Sequence, residues 1–129
     1  MSLRSPLGRV LGLGSARGGS GHWYLQRVTA VALVVLGVWF VASLLMLGAG
    51  APHAAVAAWL RSPFSAVMAL LLVAVAAYHA MLGMQVVFED YIGDHGTRLV
   101  VVIIAKFALI TAALVGALAV LRLAFGVRA

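Results

Sequence analysis

The sequence predicts an all-α membrane protein with three transmembrane helices in one domain. Three observations carry that reading. Hydrophobic residues make up 65% of the 129 positions, and the mean hydropathy is +1.16. A soluble domain of this length could not hide so much apolar surface, because small domains have a high ratio of surface to volume. The third observation is charge: only 9% of the chain is charged, and its basic residues mostly flank apolar runs.

The net charge is +6. Scattered cations beside apolar runs fit the ends of membrane spans better than a nucleic-acid surface. There is no cysteine. That excludes disulfides, a cysteine-ligated iron–sulfur cluster and haem attached through C-x-x-C-H.

Residues 1–22 are rich in Gly, Ser and Arg and contain no acid. They read as a polar, basic tail held on the cytoplasmic side by Arg4, Arg9 and Arg17; a short transit peptide is the alternative. Leu3, Leu7, Val10, Leu11 and Leu13 are spaced for a short helix lying on a membrane or a partner. The anchor domain follows at 23–125. Trp23, Tyr24 and Arg27 form an interfacial group, with rings at headgroup depth and a cation beside phosphate. Val28–Gly50, 23 residues without a charge, is the first span and is long enough for about 30 Å of hydrocarbon.

Ala51–Pro63 is a connector punctuated by Pro52 and Pro63. Ala54–Leu60 can form a short interfacial helix with Trp59 at headgroup depth, and His53 reads as a solvated loop residue. Phe64–Phe88 is the second span, with His79 and Gln85 as its strongly polar side chains. Glu89–Arg98 is a short polar turn, where Gly93 and Gly96 supply helix-stop and loop positions. The third span runs from about Leu99 to Leu121. Lys106 reaches back toward the 89–98 turn, and Ala105, Ala108, Ala112, Ala113, Gly116 and Ala119 let another helix approach closely.

Charge counting sets the orientation. One side would hold Arg4, Arg9, Arg17, Arg27, Arg98 and Lys106; the other would hold Arg61, Arg122 and Arg128. Six against three places the N-terminus in the cytoplasm (or matrix). Asp90 and Tyr91 then lie on that same side.

The chemistry concentrates in Tyr78–Asp94, which contains all three acidic residues of the chain. His79 and Asp90 are 11 residues apart, three helical turns plus roughly 20°, so they share a face. His79 lies about 18 Å deeper than Tyr91 in a straight helix. A histidine in lipid needs protein or a cofactor to face. Its plain reading is a hydrogen bond to a neighbouring helix. Its functional reading is an axial ligand to haem iron, which needs one positioned imidazole and takes its second ligand from another chain. Asp90 and Tyr91 read either as ordinary interfacial residues or as a carboxylate–phenol pair that donates to a quinone carbonyl and relays protons. No dinucleotide fingerprint, P-loop or cluster motif is present, so electrons for a redox role would come from a partner.

These residues carry a resemblance. His79, Leu82-Gly83, Gln85-Val86-Val87 and Glu89-Asp90-Tyr91 resemble the second-helix signature of the succinate dehydrogenase hydrophobic membrane anchor subunits, the D-type chains of complex II. Arg27-Val28-Thr29-Ala30 is similar to their R-x-T-A element, and the likeness spans essentially residues 20–125. It implies one anchor of a multi-subunit helical bundle in a bacterial inner membrane, or less readily a mitochondrial one. The implied partners are a second, cytochrome b-type membrane anchor, an iron–sulfur subunit and a flavoprotein subunit. The implied cofactor is haem b, shared between the anchors, and the implied substrate is ubiquinone, reduced with electrons from succinate. By the matching motif His79 would ligate the haem iron, Tyr91 would bond the quinone and Asp90 would support that site. Arg27 would lie near the haem propionates or the quinone pocket. A fumarate reductase anchor or another membrane cytochrome b is the alternative, and a structural or transport-type membrane protein is a third reading.

Overall fold

The computed structural model describes residues 19–126. The expectations for residues 1–18 of the basic tail and for Arg128 lie outside them, while Gly19–His22, expected in the tail, are helical. The described chain forms four helices: α1 (Gly19–Leu47), α2 (His53–Arg61), α3 (Pro63–Tyr91) and α4 (His95–Phe125). Three of them, Ser20–Leu47, Pro63–Tyr91 and His95–Phe125, are long and apolar enough to cross a membrane. The shortest, at 28 residues, rises about 42 Å, more than the hydrocarbon thickness.

Each helix end has a local cause. α1 starts two turns before the apolar run predicted from Val28, because lipid-facing backbone is best satisfied inside a helix, and the polar residues His22, Gln26 and Arg27 stay in register with it. Gly48 and Gly50, at φ +88° and +83°, end it in the left-handed region that only glycine enters readily. Pro52 leads into α2, which buries Ala57 and Leu60. His53 is the first residue of that helix rather than a loop residue, and it is exposed. Pro63 opens α3 at the first helical position, where its missing N–H costs nothing. α4 begins at Asp94, whose carboxylate accepts the Thr97 backbone N–H at 2.7 Å, the N-cap arrangement. Gly96 consequently sits in the first turn of α4, while Gly93 stays in the connection. Gly126 closes α4 at φ +67°.

α3 is the central element. It packs on α4 most extensively and on α1 next, and α1 and α4 scarcely meet. The helices therefore form a slab with α3 in the middle, not a closed three-helix triangle. α2 bridges the ends of α3 and α4 on the far side. There Trp39 of α1 stacks on Trp59 of α2 at 5.6 Å and meets Phe64 of α3 edge-on at 6.1 Å. α3 and α4 approach closely at Gly116, where an added Cβ would lie 3.3 Å from Val73 Cγ1. Burial within the chain is thin. Leu36, Ala69 and Leu82 are covered between spans, with the polar Thr29 and Ser65, and α4 buries no residue fully. Many valines, leucines and isoleucines stay exposed on the outer faces of the slab.

Candidate functional site

The start of α1 and the end of α3 run antiparallel along each other. Thr29 is opposite His79, Gln26 is beside Gly83, and His22 and Trp23 are level with Val86. On α3, His79, Gly83, Val86 and Asp90 follow one face at helical spacing. On α1, His22, Gln26 and Thr29 do the same. A polar stripe on α1 thus meets, along one seam, a face of α3 that carries His79 at its deep end and Asp90 at its rim.

His79 is half-buried at the deep end of that seam. Its Nδ1 lies 2.8 Å from Thr29 Oγ1. Thr29 is buried, and its hydroxyl also lies 2.7 Å from the Leu25 carbonyl oxygen and 3.1 Å from that of Gln26. The described residues give His79 Nε2 no hydrogen-bond partner. One edge of the imidazole is held by protein and the other is left for something else.

Above the pair is a groove of ≈ 360 Å³ lined by His22, Trp23, Gln26, Arg27, Gly83 and Val86. Gly83 forms part of its floor, and a Cβ there would lie 3.4 Å from Gln26 Nε2. His22 Nε2 and Gln26 Oε1 are buried in the groove wall without a partner among the described residues. Buried polar atoms left unpaired cost free energy, so both atoms are open to a polar group entering the groove. Arg27 lies over the Trp23 ring at 4.3 Å, a contact that fixes the guanidinium at the groove mouth.

Asp90 and Tyr91 are exposed at the end of α3, level with the first residues of α1. Tyr91 is 86% exposed. The structure therefore unites His79 with Thr29 and places Arg27 on the same seam. It leaves Asp90 and Tyr91 on the rim, where another subunit would have to complete any pocket. Beside them a second hollow of ≈ 340 Å³ is lined by Glu89, His95, Arg98, Leu99 and Val102. Gln85 donates to Glu89 at 2.8 Å and Arg98 donates to His95 Nδ1 at 3.0 Å. The Asp94 carboxyl is held below its ordinary range, chiefly because it accepts the backbone and hydroxyl hydrogens of Thr97, with help from the Arg98 charge.

His22, Gln26 and Thr29 are the residues whose place in the site hydropathy did not disclose. Their i, i+4, i+7 spacing was the available signal, since it puts three polar side chains on one face of a helix. Among the described residues no three His, Asp or Glu side chains converge as a metal site. A haem iron asks less of this chain: a single imidazole, the porphyrin supplying four nitrogens.

Comparison with known proteins identifies the family. Residues 1–116 match the family model described as succinate dehydrogenase/fumarate reductase transmembrane subunit. A succinate dehydrogenase hydrophobic membrane anchor subunit of Rickettsia conorii is 42% identical over 99 residues, 76% of this chain and 79% of the relative. The protein of the same description from Rickettsia bellii is 37% identical over 110 residues, covering 84% of this chain and 86% of the relative. With both the three-span slab and these likenesses in place, the chain belongs to the succinate dehydrogenase/fumarate reductase transmembrane subunit family.

Proposed function

We propose that this chain is the hydrophobic anchor of a succinate:quinone oxidoreductase in a bacterial inner membrane, with its N-terminus in the cytoplasm. It would hold one axial position of a haem b and form part of the ubiquinone site. A second membrane anchor, an iron–sulfur subunit and a flavoprotein subunit would complete the enzyme. The observation that carries the reading is His79: an imidazole inside a span, tied at Nδ1 by Thr29 at 2.8 Å, with Nε2 left open.

The residues fit haem. His79 supplies the nitrogen donor. The groove above it has polar atoms in want of partners, His22 Nε2 and Gln26 Oε1, and Arg27 at its mouth. A guanidinium there suits the carboxylates of a porphyrin edge. Bound haem would supply a one-electron redox centre between the anchors. The chain's own part is to ligate, orient and exclude water. At the rim, the Tyr91 hydroxyl donates to a quinone carbonyl, and Asp90 beside it passes protons from the cytoplasmic water to the reduced head group.

The test is a reduced-minus-oxidised visible spectrum of the complex that co-purifies with this chain, for wild type and His79→Ala, with quinone reductase activity measured beside it for Tyr91→Phe. A b-type band that weakens or shifts in His79→Ala is expected. Loss of one hydrogen bond of about 1 kcal/mol should lower quinone turnover roughly five-fold in Tyr91→Phe. A wild-type complex without a b-type band removes the haem role, and unchanged turnover removes Tyr91 from the site. The family's description spans both directions of dicarboxylate chemistry, so a fumarate reductase anchor is the second reading. Comparing succinate oxidation with fumarate reduction in the complex separates them.

A further inference from the structure

We infer that Thr29 is the positioning residue of His79. It fixes the imidazole as the Nδ1–H tautomer, so that the Nε2 lone pair faces outward as the ligand. The inference rests on the axial-ligand reading above and adds a residue to it.

The argument is one of counting protons. A threonine hydroxyl has one hydrogen and two lone pairs. Thr29 Oγ1 has three neighbours: the Leu25 carbonyl at 2.7 Å, the Gln26 carbonyl at 3.1 Å and His79 Nδ1 at 2.8 Å. The two carbonyls only accept. The hydroxyl hydrogen goes to them, which is the usual back-bond of a helical threonine. The remaining short contact then needs its hydrogen from the ring, so Nδ1 carries the proton and Thr29 accepts it. The opposite tautomer fails twice. It would take the hydroxyl hydrogen away from both carbonyls, and it would leave an Nε2–H with no acceptor among the described residues. In an apolar surrounding an unmet donor is destabilising.

The arrangement also fixes direction. Thr29 is buried and has a stiff χ1; its Oγ1 is held by its own helix. The ring of His79 is therefore aimed from α1 rather than by α3 alone. An Nδ1–H that is hydrogen-bonded makes the opposite nitrogen a stronger donor to metal, and loss of such a partner commonly costs ten- to a hundred-fold in metal affinity.

The test compares three complexes purified with all their subunits: wild type, Thr29→Val, which keeps the shape and removes the hydroxyl, and Thr29→Ser, which keeps the hydroxyl. The readouts are haem partition to apomyoglobin and the haem reduction potential. Thr29→Val should release haem about ten- to a hundred-fold more readily. Its potential should rise, because a less electron-rich imidazole favours ferrous iron. Thr29→Ser should stay close to wild type on both. A merely structural threonine would leave the potential where it is. Thr29→Val within two-fold of wild type with an unmoved potential, or Thr29→Ser behaving like Thr29→Val, overturns the inference while leaving His79 as ligand. Wild-type complex without haem overturns both. Should Thr29→Val not assemble, pulsed EPR of the wild-type haem decides. Remote-nitrogen couplings of a hydrogen-bonded Nδ1–H support Thr29, and those of a free N–H refute it.

Discussion

Replacing Gly116 by valine should loosen the α3–α4 pair, and replacing it by alanine should not. An alanine Cβ at 116 would lie 3.3 Å from Val73 Cγ1 and 3.6 Å from Cγ2. Carbon atoms are most comfortable at about 3.5–4.0 Å, so the neighbour must yield by a few tenths of an ångström. Val73 has one strongly preferred χ1 in a helix and cannot swing aside; the backbones must separate slightly. Alanine offsets this with a helix preference roughly 1 kcal/mol better than glycine, and the net change should stay within about 1 kcal/mol. Valine adds two γ-carbons at the same crowded spot and a β-branched side chain. Overpacking of that kind costs about 1–3 kcal/mol. The assay is SDS titration of the purified complex in mild detergent, followed by circular dichroism. A Gly116→Val complex as resistant as wild type would mean that α3 and α4 are not in contact at Gly116 and Val73.

Other outcomes follow from the far side and from the α3–α4 turn. Trp59→Ala should destabilise the junction of α1, α2 and α3 by about 0.5–1.5 kcal/mol beyond the area lost, since stacked aromatic pairs are worth that much; Trp59→Phe should retain part of it, and thermal unfolding of the complex compares the two. Asp94 should make the first turn of α4 acid-sensitive. Its folded carboxyl is more acidic than the ordinary 3.8, so the ionised cap stabilises the fold above that value and its contribution is lost as pH falls below it. Hydrogen-exchange protection at Thr97, taken relative to the intrinsic rate at each pH, should therefore fall on acidification in wild type more than in Asp94→Asn, which accepts the same bond without titrating; identical profiles would remove the charge from the account.

The three spans were legible because lipid permits few structures, and long uncharged runs such as Val28–Gly50 leave only a helix. The ends were less so. Charge marks where a helix meets water, but α1 continues through His22, Gln26 and Arg27 to Gly19, since polar side chains reach the interface while the backbone stays paired. The turn was read from its glycines, yet Asp94 decides where α4 starts, and an Asp three residues before Thr97 was the visible cue. His79 stood out because a histidine in lipid demands a reason. Its partner did not, because a threonine in an apolar run satisfies itself on its own backbone and carries no signature of a distant contact. The slab arrangement, with α1 and α4 on opposite flanks of α3, depends on which small residues face each other, and a stripe of alanines on α4 does not name its neighbour.

The slab has a consequence for synthesis. α3 and α4 are neighbours in the chain, but α1 must wait for α3, and Thr29 and His79 are 50 residues apart. At roughly 5–20 residues per second, α1 spends about 3–10 s in the bilayer before its partner emerges. During that interval Thr29 already has the Leu25 and Gln26 carbonyls, so the newborn helix shows lipid no unmet hydroxyl. When α3 arrives, its histidine finds an acceptor already oriented. The same back-bond that hides Thr29 from the translocating machinery makes it the landing point for His79, and the order of the chain becomes the order of assembly.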